Sequence, residues 1–147
     1  MTREAAALVR QQLISLTSYL QELTSFVSVD MAEYLMRPGF RRASERMVQL
    51  AVECAIDTAE AIIEGLDKPP PATARAAFEE LHGLGVLKQD TATSFARRYV
   101  GLSNRIVHDY EQIDSEKIRE GALRLLDDAA RYIREVSAWV DTRTPPS

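Results

Sequence analysis

The sequence predicts an all-α protein: an up-and-down bundle of four long helices with one or two short ones. Three observations carry this. Apolar residues recur at steps of three and four over most of the chain, the period of a helix buried along one side. No stretch alternates apolar and polar residues as a half-buried strand would, and no hairpin signal occurs. The prolines fall between the periodic stretches and not within them. At 147 residues the chain suits a single domain, placed at residues 1–141, with 142–147 as a disordered tail containing Pro145-Pro146. A chain of this size buries roughly two thirds of its unfolded surface, so it needs no disulfide or metal staple.

The first helix begins near Thr2 and ends around Phe26 to Ser28, with Val9, Leu13, Leu16, Leu20, Leu23 and Val27 as its inward stripe. Val29 to Met36 can form a short helix with Asp30 near its start. Arg37-Pro38-Gly39-Phe40-Arg41-Arg42 reads as a turn feeding the next helix. From Phe40 to Leu66 two apolar stripes run side by side. One is Met47, Leu50, Ala51, Cys54, Thr58, Ala61, Ile62 and Gly65; the other is Val48, Val52, Ile56, Ala59 and Ile63. The polar residues are confined to the line Glu45, Gln49, Glu53, Asp57, Glu60 and Glu64. A helix apolar around most of its circumference is buried, and in so small a protein a second subunit is expected to cover one face.

Pro69-Pro70-Pro71 is an extended connector. Thr73 to Leu81 is a short helix with Ala77, Phe78 and Leu81 inward, stopped by Gly83-Leu84-Gly85. His82 lies at its end as a surface residue. A fourth helix is expected from Asp90 to about Gln112, capped by Asp90 or Thr91, with Ala92, Phe95, Tyr99, Leu102 and Ile106 inward. Asp114 or Ser115 caps the last helix, which runs to about Val140 with Ile118, Ala122, Leu125, Leu126, Ala129, Ile133 and Val136 inward.

Composition narrows the function. The net charge of −4, from 18 basic and 22 acidic residues, is not that of an overall basic nucleic-acid binder, although a local basic patch is compatible with it. The lone Cys54 cannot form an internal disulfide and reads as a core residue. There is no signal peptide and no apolar run long enough for a membrane span, so a cytoplasmic location is expected. Phosphate-cradling glycine loops, dinucleotide fingerprints, paired cysteines and metal-binding histidine pairs are absent, and no metal or cofactor is expected.

The remaining chemistry lies in Gly101 to Tyr110. At ~100° per residue, His108, Asn104, Gly101 and Arg98 or Arg97 share one stripe, with Arg105 bordering it. Imidazole moves protons near neutral pH, guanidinium suits phosphate, and an amide can orient a phosphate or a ribose hydroxyl. Such a set can cleave RNA without a metal. On residue chemistry alone, a single histidine near a helix end is more often a structural hydrogen-bonder.

The wording of the segment adds to this. Asn104-x-x-x-His108-x-Tyr110 followed by Ile113-Asp114 resembles the signature of HepT-like toxins of the HEPN superfamily. Ala43 to Asp57 is similar to the long central helix of that family, and Phe78 to Leu87 to the segment after it. The resemblance implies a dimeric all-α fold and a toxin–antitoxin module. It implies metal-independent endoribonuclease activity, neutralised by a minimal nucleotidyltransferase antitoxin that attaches AMP to the tyrosine. Residue by residue it makes His108 the catalytic histidine, Tyr110 the modified tyrosine and Asn104 the polar residue beside the motif arginine. RNA contacts are expected from Arg97, Arg98 and Ser103, which lie on or beside the same stripe. The pattern departs at one place. The arginine expected with four to six residues between it and the histidine is missing, and Gly101, Leu102 and Ser103 occupy those positions. Removing one such electrostatic stabiliser costs about 10²–10³ in rate. Either Arg105 or Arg98 substitutes, or Ser103 marks a weak or inactive nuclease, whether the serine is natural or introduced. The alternative is a non-catalytic HEPN protein that binds a nucleotidyltransferase or a nucleotide. Restoring the motif by Ser103→Arg is expected to raise cleavage by about 10²-fold if charge stabilisation is what was lost.

Overall fold

The computed structural model describes residues 1–109 and 114–143, with Asp109 described in its backbone only. Helix α1 (Arg3–Val27) lies along α3 (Pro38–Gly65), the most extensive helix pair, and both pack on α7 (Ser115–Arg143). Between them come α2 (Met31–Met36), α4 (Ala74–Gly83), α5 (Gln89–Thr93) and α6 (Val100–Asp109). No described residue is in a strand. No described helix is long and apolar enough to cross a membrane.

The caps follow from side-chain oxygens at the expected places. Thr2 accepts from the backbone N–H of Ala5 at 3.1 Å, Asp30 from Glu33 at 2.8 Å and Thr73 from Ala76 at 3.0 Å. Asp114 accepts from the backbone N–H of Glu116 at 2.8 Å. The six predicted inward residues of α1 are all buried. On α3 the Cys54 stripe faces α1, where the thiol donates to the Gln12 carbonyl at 3.2 Å. Burial pushes that thiol up, as befits a core cysteine. The Ala55 carbonyl accepts from Tyr132 of α7 at 2.7 Å.

Several expectations are corrected. Pro38-Gly39 is not a turn but the first turn of α3, because proline at the first helical position gives up only an N–H that has no partner there. On α3, Val48, Val52, Ala59 and Ile63 of the second stripe are buried within the chain as completely as Ala51 and Ile62, while Ile56 is half-buried. The last helix continues through Thr142 and Arg143, so the expected tail loses its first two residues to α7. Residues 144–147 of that tail lie outside the described residues.

The fourth long helix is helical from Gln89 to Asp109 but contains a π-helical turn. It starts at Gln89, capped by neither Asp90 nor Thr91. Glu135 of α7 supplies the acceptors instead, taking the Lys88 N–H at 2.7 Å and the hydroxyl of buried Thr91 at 2.6 Å. From Ser94 to Tyr99 the helix widens into a π-helical turn, and the N–H of Val100 reaches back five residues to the Phe95 carbonyl. An aromatic cluster pins this turn. Phe95 packs on Phe78 of α4 at 5.2 Å, on Tyr132 of α7 at 4.9 Å and on Tyr99 at 5.0 Å between ring centres. Beyond the turn Ile106 is buried as expected, while Val107 is exposed. Ser103 is buried where Leu102 was expected, and Leu102 is only half-buried.

Candidate functional site

α6 has one exposed side, which carries Asn104, Arg105, Val107 and His108. Counting back from His108 at ~100° per residue, Asn104 falls about 40° to one side and Arg105 about 60° to the other. The structure has a groove on each flank. The first, about 480 Å³, holds His108, Asn104 and Ser103 from α6. Its far wall comes from Glu53 of α3 and Arg75 of α4, with Val100, Val107 and Ile56 as apolar lining. The second, about 370 Å³, lies between the π-helical turn, α6 and α7. It collects Arg97, Arg98 and Arg105 with Lys117 and Arg124 of α7, against one acid among the described residues, Glu120.

The predicted site residues are therefore divided within one chain. His108 and Asn104 are exposed and share a groove. Ser103 joins them, but as a wall residue only 9% exposed. Arg105, expected beside the histidine, belongs with Arg97 and Arg98 in the other groove. A single cleft lined by all four basic residues does not form in the chain alone. The physical reason is local. Asn104 and Arg105 are successive residues, so a helix turns them to opposite sides of the histidine. Tyr110, expected as the modified residue, lies outside the described residues.

Electrostatics separate the two grooves further. The second is a concentration of cations on a chain of net charge −4. One of its cations, Arg98, lies near Asp128, a buried carboxylate of α7. Asp128 accepts hydrogen bonds from the Tyr99 hydroxyl and from Arg131, and lies 3.7 Å from Arg98. Burial, reinforced by the hydrogen bond to Asp128, pushes the Tyr99 phenol well above its ordinary value. No cluster of three or more metal-ligating side chains occurs among the described residues. His82 is structural: its Nδ1 lies 3.0 Å from the Leu87 carbonyl and closes the end of α4.

In the His108 groove, sequence reasoning gave no role to Glu53 and Arg75, and in the second groove it missed Lys117, Glu120 and Arg124. Glu53 sits in a regular line of acids and looks like any solvated position. Arg75 carried one faint signal: a cation in the first turn of a helix opposes the helix dipole, where acids are favoured.

The family model described as ribonuclease HepT-like matches residues 16–136. A curated tRNA nuclease HepT of Aphanizomenon flos-aquae (strain 2012/KM1/D3) is 28% identical over 142 residues, covering 97% of this chain and 96% of that protein. Among solved structures, the tri-AMPylated HEPN toxin of Shewanella oneidensis in complex with MNT antitoxin superposes with a TM-score of 0.80. It is 18% identical and covers 88% of this chain and 96% of that one. YutE, a cytosolic protein of unknown function from Bacillus subtilis, superposes with a TM-score of 0.77 at 14% identity, covering 94% of each chain. At these identities the superpositions show the shared fold.

Proposed function

We propose, because this chain belongs to the ribonuclease HepT-like family, that it is the toxin of a toxin–antitoxin pair and cuts RNA without a metal. One observation carries the reading: the family's histidine stands exposed in a groove with an amide, a hydroxyl and a guanidinium around it. His108 takes the proton from a ribose 2′-hydroxyl, and the freed 2′-oxygen attacks the adjacent phosphorus. The bond from phosphorus to the 5′-oxygen breaks, and the imidazole returns the proton to that oxygen. The products are a 2′,3′-cyclic phosphate and a 5′-hydroxyl, so the step balances without a co-reactant. Asn104 orients the phosphate or the ribose. Arg97, Arg98 and Arg105 hold the flanking backbone in the second groove, which makes binding salt-dependent. Cleavage of tRNA by the purified chain in EDTA tests the reading. No cleavage would favour a non-catalytic HEPN protein.

The solved toxin above is AMPylated and complexed with its MNT antitoxin. By analogy, a minimal nucleotidyltransferase is the partner here and Tyr110 its target. An attached AMP puts a phosphate and an adenosine two residues from His108, opposing RNA by charge and by volume. Incubation with a cognate nucleotidyltransferase and ATP should add mass in steps of AMP, and Tyr110→Phe should remove the first step. Modification unchanged in the phenylalanine variant would refute the assignment.

The active form is proposed to be a homodimer. Support comes from the His108 groove, where Val107 is 50% exposed beside half-buried Val100 and half-buried Ile56 of α3. Covering these apolar groups on a second copy would bring two histidine grooves together. Light scattering should give twice the mass of one chain at micromolar concentration, and a stable monomer would rule this out.

A further inference from the structure

Arg75 is held in place by one contact. Its Nε donates to the Ala96 carbonyl at 3.2 Å. Ala96 lies inside the π-helical turn, and in an α-helix its carbonyl would receive the N–H of Val100. Here that N–H goes to Phe95 instead, which leaves the Ala96 carbonyl displaced from the α pattern and open to a side chain. The guanidinium is thus fixed at one nitrogen, and its two terminal nitrogens make no hydrogen bond or ion pair among the described residues. Arg75 is also the only arginine or lysine among the described residues lining the groove of His108. Arg105 and Arg98 line the other groove, and Arg98 is engaged with Asp128.

We propose that Arg75 is the catalytic cation of this groove. It contacts a non-bridging oxygen of the scissile phosphodiester and stabilises the charge that develops as the 2′-oxygen attacks. This rests on the ribonuclease reading above. A guanidinium held by Nε presents its remaining N–H groups in a fixed fork, the arrangement suited to phosphate oxygens. Its fixation before substrate arrives is what electrostatic stabilisation requires. Position 75 then does the work that no residue at 101–103 can do. A cation opposing the dipole of α4 has a functional reason to be there, and the π-helical turn has a purpose beyond packing.

The test uses the full chain as wild type, Arg75→Ala, Arg75→Lys and Arg105→Ala, each checked for folding by thermal unfolding. Single-turnover tRNA cleavage in EDTA is one readout. The salt dependence of binding to a single-stranded oligodeoxynucleotide, which has no 2′-hydroxyl to react, is the other. Arg75→Ala should lose about 10²–10³-fold in cleavage, more than Arg105→Ala. Millimolar guanidinium should restore part of it, and the salt slope should fall by about 0.7. Arg75→Lys should fall between wild type and alanine. A folded Arg75→Ala that cleaves within a few-fold of wild type overturns the proposal. So does a loss that guanidinium leaves untouched together with an unchanged salt slope, since Arg75 would then serve only to brace the π-helical turn. If the wild type cleaves nothing, the nuclease reading fails on its own. The slope still decides: a fall of about 0.7 puts Arg75 on a phosphate, and no fall overturns that too.

Discussion

Replacing His108 by alanine should abolish most RNA cleavage, with a loss of about 10²–10⁴-fold, the usual contribution of a positioned general acid–base group. Stability should hardly change. The side chain is exposed on α6, and alanine is a better helix former than histidine. RNA affinity should also change little, because the five cations that attract the backbone line the other groove. The signature is therefore a fall in the single-turnover rate constant with binding nearly constant. Single-turnover cleavage and oligonucleotide binding on the same preparations check it. Cleavage that survives in His108→Ala would place the activity at another residue or in a contaminant. A parallel collapse of binding would mean that the two grooves are not separate in function.

The division into grooves also shows what the sequence made legible. The α1 stripe, the caps at Thr2 and Asp30 and the inward trio Ala77, Phe78 and Leu81 could all be read, because each depends on neighbours three or four residues away. The segment 89–109 could not be read as it is. Its π-helical turn arises from Phe95 packing on Phe78 and Tyr132, partners 17 and 37 positions away, and sequence spacing does not report such packing. That one insertion set the Ala96 carbonyl free for Arg75. Local pattern identified the histidine and its amide. The cation came from a different helix, so its place beside them depends on tertiary packing. The expected gain from Ser103→Arg changes accordingly. With Arg75 already supplying charge, and position 103 set into the groove wall, restoring the motif should add far less than about 10²-fold to the wild type.

The largest stability effect outside the apolar core is expected at Asp128. Its carboxylate is the partner of the Tyr99 hydroxyl, whose side chain is fully buried. Asp128→Ala strands that hydroxyl, and an unpaired buried polar group costs about 1–3 kcal/mol. The bonds to Arg131 and Arg98 add less, because both guanidinium groups are more than 40% exposed and regain water when released. A total of about 2–3 kcal/mol corresponds to a Tm roughly 5–10 °C lower for a chain of this size. The double variant Tyr99→Phe with Asp128→Ala should be milder than the two single losses added together, since it removes the donor along with its acceptor. The pH dependence has a definite sign. Tyr99 is raised by burial and then by Asp128, and Tyr132 by burial. Both phenols keep their protons in the folded state after the unfolded chain has begun to lose its own near pH ~10. Their contribution is fully present below that pH and is lost as pH rises toward the folded values, so stability should decline in alkali. Denaturant unfolding of wild type, Tyr99→Phe and Asp128→Ala between neutral pH and about pH 11 measures both effects. The decline should be shallower in Tyr99→Phe. An equally steep decline there would assign the alkaline sensitivity to other groups, and an unchanged Tm in Asp128→Ala would show that Tyr99 finds another acceptor.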